Sequence, residues 1–363
     1  MLALQEIRRK KLQFGLISLI VGLVVYLLVM ISALGSGLLS AMSGAVNSFD
    51  ADLVVFSADS NDSFLRSELT ASQRDAIAEV GGATGGVGYM AATAQENSLT
   101  EDVALFGFEP GSVAEPAVRS GRTLARDGEI LIDRSLSRSS GLKVGDQITM
   151  RTALIAYNFT IVGEVDEGQF LGLPSAYVFL DKWREMRYPG HGEDTPAASV
   201  ILARGHADDL GARIEAAVPN TSALSKSEAV SAIGGVTEQE RVVMAIELFG
   251  FVIGALVIGS FFFVLTMQRT YEIAIVKALG ASSWYVFGQL IRQVVAVALA
   301  GLALGVALAL VTEATLPSDI PLQITGGAFL TGGASITIAA LLGSLFSARQ
   351  VVRVNPMSAL GQV

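Results

Sequence analysis

FGLISLIVGLVVYLLVMISAL, Phe14 to Leu34, is a run of 21 residues without a single charge. A helix rises about 1.5 Å per residue, so this run covers a hydrocarbon core of about 30 Å. It follows Arg8, Arg9, Lys10 and Lys11, a positively charged flank. The apolar run is too long for a secretory signal and lacks a clear small-x-small exit, so it is read as a retained transmembrane helix.

Three further apolar stretches extend the pattern: Leu248 to Met267, about Val286 to Val311, and about Phe329 to Ala348. Arg269 and Lys277 follow the second span, Arg292 opens the third, and Arg349 and Arg353 follow the fourth. The loop between the third and fourth carries Glu313 and Asp319 but no base. Basic flanks face the cytoplasm, so both termini are expected there, in a multi-pass protein of the cell membrane. Gly301, Gly305, Gly332, Gly333 and Gly343, set among alanines, are read as positions of close helix packing rather than as a substrate path.

Composition agrees with lipid. Of 363 residues, 51% are hydrophobic and 16% charged, against about 25% charged in soluble domains. The net charge of −9 is uneven, because Asp50 to Arg241 holds 29 acids and 16 bases. That acidic stretch belongs in water. The remaining bases lie beside apolar spans and form no patch that would suit nucleic acid. With no cysteine in the chain, disulfides, thiolate metal sites and a cysteine nucleophile are excluded.

The expected fold class is a membrane protein with four transmembrane α-helices and an α+β extracytoplasmic domain inserted between helices one and two. Residues 1–13 form a cytoplasmic N-terminus, 14–46 the first span with an outer extension, and 47–235 the inserted domain. Residues 236–267 form the second span with its outer extension, 268–285 a cytoplasmic coupling helix and 286–311 the third span. An outer loop, 312–327, leads to the fourth span, 328–348, and the cytoplasmic C-terminus, 349–363.

Within the inserted domain, short alternating apolar runs mix with amphipathic stretches. Ala51 to Ser57 reads as a strand, Thr70 to Val80 as a helix capped by Thr70, and Glu129 to Asp133 as a strand running into a Ser-rich helix. Ile148 to Ile155 and Asn158 to Val165 read as a hairpin. Gly81 to Gly88 is expected to be a loop, since no G-K-[ST] follows it to make a phosphate cradle.

The domain shows no visible active site. His191 and His206 are the only histidines and lack zinc-ligand spacing. Ser137, Ser139 and Ser140 form no G-x-S-x-G elbow, and Asp208 with Asp209 reads as a solvated helix start. Neither a Walker motif nor an intrinsic cofactor is apparent, so any ATP and Mg would be bound and hydrolysed by another polypeptide.

The connector after the second span runs from Gln268 to Trp284. Ile273, Val276, Ala278 and Leu279 make one apolar face, Gly280 a stop, and Ser282 the start of the next helix. Spacing alone suits either a partner's groove or a tether on the inner leaflet. Arg269, Glu272, Ile273, Lys277, Ala278, Leu279, Gly280 and Ala281, in this order, resemble the signature of the FtsX/MacB-type permeases of ABC transporters. Ser120-Gly121-Arg122, Gly128-Glu129-Ile130 and Gly141-Leu142-Lys143-Val144-Gly145-Asp146 are similar to that family's outer domain, and Val354-Asn355-Pro356-Met357-Ser358-Ala359-Leu360 resembles its C-terminus.

The resemblance implies a non-catalytic permease that pairs with a second copy of itself and with two separate ATPase subunits. Movement of the ATPases would pass through the helices to the outer domains, with cargo entering from the membrane or from outside. Arg269, Glu272, Lys277, Leu279 and Gly280 are then the expected ATPase-coupling residues.

Among such permeases the layout looks most like the haem exporters of Gram-positive bacteria, with the DevC-type glycolipid exporters next. A haem slot needs apolar walls and an axial ligand. Met30 lies near the outer end of span one, while Glu240, Met244, Glu247 and Phe251 share one helical stripe at the outer end of span two. Met30, Glu240 and Met244 are the candidate iron ligands, and Arg241 would meet a propionate. Glu247 is singled out by its depth, because ionisable groups within a span are costly and usually functional. The plainer alternatives are methionine as gap filler and Glu240 with Arg241 as a solvated helix start. Tyr89 and Tyr157 are weaker ligand candidates. Two other functions fit the same layout: export of another lipid, glycolipid or amphipathic molecule, and an FtsX-like relay that activates an extracellular cell-wall hydrolase.

Overall fold

The computed structural model describes residues 11–268 and 282–316, apart from 97, 98, 154, 167, 191–194 and 206, together with 271, 275, 279, 280, 322 and 338. The chain divides into two compact units, one built from its flanks up to Gly37 and from Arg241, the other from Leu38–Glu240.

The flanking unit is helical. Helix α1, Lys11–Ser48, carries the first expected span and continues well beyond Leu34. Among the described residues three helices are long and apolar enough to cross a membrane, over Phe14–Ser48, Val236–Phe261 and Ile291–Thr315. The fourth expected span, 329–348, lies outside the described residues apart from Ile338.

Small residues set how closely these helices approach. A Cβ on Gly22 would come 2.9 Å from Leu304 Cδ2 and 3.2 Å from the Gly301 carbonyl, and one on Gly305 would come 2.7 Å from the Gly22 carbonyl. On the second helix pair, Gly35 faces Val243 and Gly250 faces Leu28. Without Cβ atoms the backbones come close enough for dispersion contacts to hold helices together in lipid, where the hydrophobic effect does not. Ile17, Val21, Val25 and Val29 of α1 are buried with Ile258, Val294 and Val297, and the Tyr26 and Thr312 hydroxyls share a hydrogen bond at 3.1 Å.

The inserted unit is α+β, as its alternating patterns predict. In chain order it contains β1 Leu53–Ser57, α2 Ala71–Val80, β2 Ala83–Glu96, β3 Leu99–Phe108, β4 Val118–Gly121, β5 Glu129–Asp133 and α3 Arg134–Ser140. These are followed by β6 Gln147–Arg151, β7 Ala156–Val165, β8 Ser175–Phe179, α4 Leu180–Arg187, β9 Val200–Arg204, α5 Ala207–Ala217, β10 Thr221–Ser225 and α6 Lys226–Ala232. Two long helices follow, α7 Val236–Gln268 and α8 Ser283–Thr315.

Among the described residues the strands form one sheet in the order β10-β1-β9-β2-β3-β8-β5-β7-β4, with β6 bridging β2 and β7. That bridge closes a ring of β2, β3, β8, β5, β7 and β6. Alternation along each strand fills the inside of the ring with Met90, Leu105, Ile132, Met150, Phe159 and Val178. The neighbouring positions Tyr89, Phe106, Leu131 and Tyr177 point the other way, into a core shared with Ala45, Val46 and Phe49 of α1. A third core places Ile77 of α2 and Ile214 of α5 against Leu53, Val55 and Ile201.

Local signals explain the element boundaries. Thr70 caps α2 through a capping box with Gln73. The expected hairpin is β6 paired antiparallel with β7, Ile148 opposite Phe159, and it is closed by the Thr152 N–H donating to the Ile155 carbonyl, with β7 already under way at Ala156. The Gly81 to Gly88 stretch departs from expectation. Only Gly81 and Gly82, with φ of +108° and +100°, form a turn, and β2 then takes Gly85, Gly86 and Gly88 into the ladder.

The reason lies about a hundred residues away. Gly88 pairs directly with Gly107, and the buried Trp183 of α4 packs against both, so a Cβ on Gly88 would overlap the indole. Glycine in a strand interior marks such a close approach. Gly88→Ala therefore overpacks the ring interior and lowers stability by about 1–3 kcal/mol. Thermal unfolding of the detergent-solubilised chain checks this, with Gly15→Ala, where a Cβ meets nothing within 4 Å, expected to leave the midpoint in place.

Asp133 ends β5 and caps α3, accepting hydrogen bonds from the Leu136 N–H and the Ser135 hydroxyl, both at 2.8 Å. It is fully buried, and burial outweighs these bonds to push its carboxyl up to about 6. The folded state thus holds a proton that the unfolded chain releases at lower pH, so stability falls as pH rises through that window. Asp133→Asn keeps a cap acceptor and removes the charge. Its stability relative to wild type should grow between about pH 4 and pH 7 by on the order of 3 kcal/mol, and a flat difference across that range in denaturant titrations would refute the assignment.

Candidate functional site

Helix α7 is continuous from Val236 to Gln268 and carries Glu240, Arg241, Met244, Glu247 and Phe251. The i, i+4, i+7, i+11 spacing puts Glu240, Met244, Glu247 and Phe251 on one face. Glu240, Arg241 and Met244 are exposed, Met244 by 67%, while Glu247 and Phe251 are half-buried. Met30 of α1 is half-buried and packs against the helical core.

The two glycine contacts of α1 with α7 fix a depth scale. Gly35 meets Val243 and Leu28 meets Gly250, so the helices run antiparallel and Met30 and Glu247 fall between the two contacts. At about 1.5 Å per residue, Met244 and Glu240 lie roughly 5 and 10 Å further along α7 from Glu247. Met30 and Glu247 thus stand at about the same level, with Met244 about a turn along α7 and Arg241 about another.

Of the connector, Arg269, Glu272, Lys277 and the face residues Ile273, Val276 and Ala278 lie outside the described residues. Leu279 donates its N–H to the Ile275 carbonyl at 3.0 Å, and Gly280 follows at φ +96°. Tyr271, Ile275 and Leu279 recur every four residues and are exposed, Leu279 by 83%. Ser282 caps α8 through the Tyr285 N–H, and Trp284 projects beside it. Sequence reading named Leu279 but passed over Tyr271, Ile275 and Trp284, although their spacing of about four residues was available as a signal.

The inserted domain offers little room for chemistry. Tyr89, a candidate ligand, is buried among Phe106 and Phe170 at ring separations of 5.5 and 5.0 Å, and burial raises its hydroxyl pKa. That removes it as a surface ligand. Tyr157 is half-buried beneath the Lys182 ammonium, 4.8 Å from the ring centre.

The Ser137 hydroxyl donates to the Leu142 carbonyl and Ser139 to Glu101. His191 and His206 lie outside the described residues. Among the described residues no three His, Cys, Asp or Glu side chains are grouped to hold a metal ion. A cleft lined by Gly81, Gly82, Arg204, Gly205 and Arg213 has its guanidiniums committed, Arg204 to the Asp50 carbonyl and carboxylate and Arg213 to the Val80 carbonyl.

The outer-domain motifs that carried part of the family resemblance prove to be turn-builders, while the C-terminal motif, 354–360, lies outside the described residues. Arg122 forms a two-pronged pair with Glu129 at 2.6 and 2.8 Å, and Glu129 also accepts the Ala125 and Arg126 N–H groups. The Arg122 guanidinium and those amides hold the Glu129 carboxyl down at about 2. Gly121 and Gly128, both at φ +81°, bracket this loop, and Gly141 at +76° and Gly145 at +105° shape the next. The Asp146 carboxylate accepts the Lys143 N–H at 2.8 Å within that second loop.

Comparison with known proteins agrees with these features. Residues 14–220 match the MacB-like periplasmic core domain and residues 244–356 the FtsX-like permease C-terminal domain. A putative hemin transport system permease protein HrtB of Staphylococcus haemolyticus is 25% identical over 368 residues, covering 99% of each chain. An uncharacterized ABC transporter permease of Mycobacterium tuberculosis is 25% identical over 99% of this chain and 98% of its own. The extracellular domain of the ABC-type transporter YknZ from Gram-positive bacteria aligns at 15% identity and a TM-score of 0.36, over 47% of this chain and 98% of that one. With a helical unit, an inserted α+β domain and matches to both family descriptions, the chain belongs to the FtsX/MacB-type permeases of ABC transporters, membrane subunits whose ATP is hydrolysed by a separate polypeptide.

Proposed function

We propose that this permease takes haem from the outer leaflet of the cell membrane and expels it, driven by a separate ATPase. The observation that carries the reading is the common level of Met30 and Glu247 between the Gly35–Val243 and Leu28–Gly250 contacts, with Met244 exposed one turn along α7. Haem is flat, apolar and ringed by two carboxylates, so a lipid-facing stripe of thioether, carboxylate and arginine suits it. The printed name of the full-length Staphylococcus relative points to the same cargo.

In this reading four helices cross the membrane, both termini are cytoplasmic and the inserted domain is extracytoplasmic. Two copies pair with two ATPase subunits, and ATP-driven movement passes through the helices to that domain. Arg269, Glu272 and Lys277 would meet the ATPase, with the exposed Tyr271, Ile275 and Leu279 supplying the apolar side of the contact.

Purified protein in lipid nanodiscs should develop a shifted Soret band on titration with haem. Met30→Ala, Glu240→Ala and Met244→Ala should each lower haem tolerance in cells, and those of the three that supply an axial ligand, at most two for one haem iron, should weaken binding about tenfold, for a ligand worth near 1.4 kcal/mol. If all three leave spectrum and tolerance unchanged, the pocket is wrong. A cell-wall hydrolase that co-purifies with the inserted domain, without loss of small-molecule resistance on deletion, would instead support a signal relay.

The connector is tested separately. Leu279→Asp puts a charge into the apolar contact and should reduce co-purification of the ATPase and stimulation of its activity while haem binding stays unchanged.

A further inference from the structure

The turn between β7 and β8 is fastened to helix α1 by backbone hydrogen bonds. Phe170 and Leu173 exchange N–H···O=C bonds at 2.9 and 3.0 Å, closing a two-residue turn whose tip is Leu171 and Gly172. Both tip residues have positive φ, +53° and +79°, the left-handed pair of a type I′ turn. The tip N–H groups do not face solvent. Leu171 N–H donates to the Met42 carbonyl at 3.0 Å and Gly172 N–H to the Ala41 carbonyl at 2.9 Å. In return, the Ala45 N–H of α1 donates to the Gln169 carbonyl at 3.0 Å.

Three backbone bonds thus tie one turn of helix to one turn of loop, and the loop in turn is anchored in the sheet. Phe170 is fully buried, with its ring 5.0 Å from Tyr89 and 5.5 Å from both Phe64 and Phe106. Ser175, the first residue of β8, donates its hydroxyl to the Gly168 carbonyl. Gly168 leaves room for the helix, since a Cβ there would lie 2.9 Å from the Tyr177 hydroxyl and 3.8 Å from Ala45 Cα. The strain also has a direction. Leucine in the left-handed region is disfavoured, and such a residue persists where its surroundings over-determine it, as at switch and clamp positions.

We propose that the Gln169–Leu173 turn is the clamp that delivers movement of α1 to the sheet of the inserted domain, with Gly172 as its positioning residue. Because α1 is one helix from Lys11 to Ser48, a shift of its first half along its axis pulls on Ala41, Met42 and Ala45. The clamp passes that pull to Phe170 and β8, the strand that lies between β3 and β5 in the closed ring. Side-chain packing alone would let the helix slide by a fraction of a turn, whereas carbonyls bonded to N–H groups of the loop hold the register. The proposal rests on the mechanically driven permease described above.

Gly172 allows a clean test, because a Cβ at this position meets nothing within 4 Å. Gly172→Val, whose Cβ meets nothing, works against the left-handed backbone and should shift the turn toward its open form by about tenfold, whereas Gly172→Asn, which tolerates the left-handed region, should leave it closed. The chain has no cysteine, so spin labels on Asn47→Cys and Asp127→Cys report the distance from the end of α1 to the sheet. The measurement uses the full chain with its ATPase in nanodiscs, with ATP and with ADP.

The wild type and Gly172→Asn should give one narrow distance in both nucleotide states. Gly172→Val should broaden it and lose most ATP-dependent haem resistance, while ATP hydrolysis stays within about twofold. A narrow distance and intact resistance in Gly172→Val overturn the clamp. Should that variant fail to fold, hydrogen exchange on the wild type decides, since Leu171 and Gly172 amides that exchange as freely as an open loop also overturn it. If the wild type confers no haem resistance yet the distances behave as stated, the cargo reading fails and the clamp stands.

Discussion

Helix α1 has to satisfy two different cores, and most of the architecture follows from that constraint. Its first half presents Ile17, Val21, Val25 and Val29 to other helices, in surroundings where lipid competes equally for apolar side chains and only close contact discriminates. Its last turns present Ala45 and Val46 to a sheet core rich in aromatic rings, where exclusion of water drives burial. Glycine serves the first setting by removing side chains at Gly22 and Gly35. Alanine serves the second, because strands and a loop must come close enough to reach the helix backbone. One continuous helix can meet both demands only if its small residues are distributed accordingly, and they are.

The sheet answers with its own arrangement of small residues. Gly88 opposite Gly107 clears a floor for Trp183, and the indole plugs the ring that β6 closes. Around that plug neighbouring strand positions serve different cores, except where the register shifts on β7 and Val162 and Val165 both join the aromatic core. The polar exceptions are few and local. Asp133 is buried where a strand ends and a helix begins, and Glu129 collects a guanidinium and two amides at the start of the same strand. Glu129 follows Gly128, and the helix that Asp133 caps ends at Gly141, both glycines at positive φ, so the pattern of this stretch is one of caps and turns.

Much of this was legible in the chain itself. Long apolar runs marked the first three spans, Thr70 announced α2 with Gln73 in the right place, and the alternation of Ile148 onward announced a hairpin. The spacing of Glu240, Met244, Glu247 and Phe251 was enough to put them on one face of a helix. What escaped reading depended on distant partners. Gly85, Gly86 and Gly88 look like a loop because what crowds them is distant in the chain: Ser112 and Ala114 for Gly85, Leu180 for Gly86 and Trp183 for Gly88. The level shared by Met30 and Glu247 depends on Gly35 and Gly250, which from sequence alone are two glycines among many. Gly172 signals a turn, but nothing in its neighbours reveals that the turn's amides point at a helix.

Closure of the ring by β6 bears on a different property, how the inserted domain avoids sticking to its copies. An open sheet offers unpaired amides and carbonyls along both edges, and such edges recruit further strands. Here six strands leave no edge among themselves, and the sheet's two ends are β10, of five residues, and β4, of four, which is interrupted by a bulge between Val118 and Ser120. Short and irregular edges are poor templates. A domain crowded at high local density on a membrane surface gains from this, because neighbours can collide repeatedly without one sheet growing into the next.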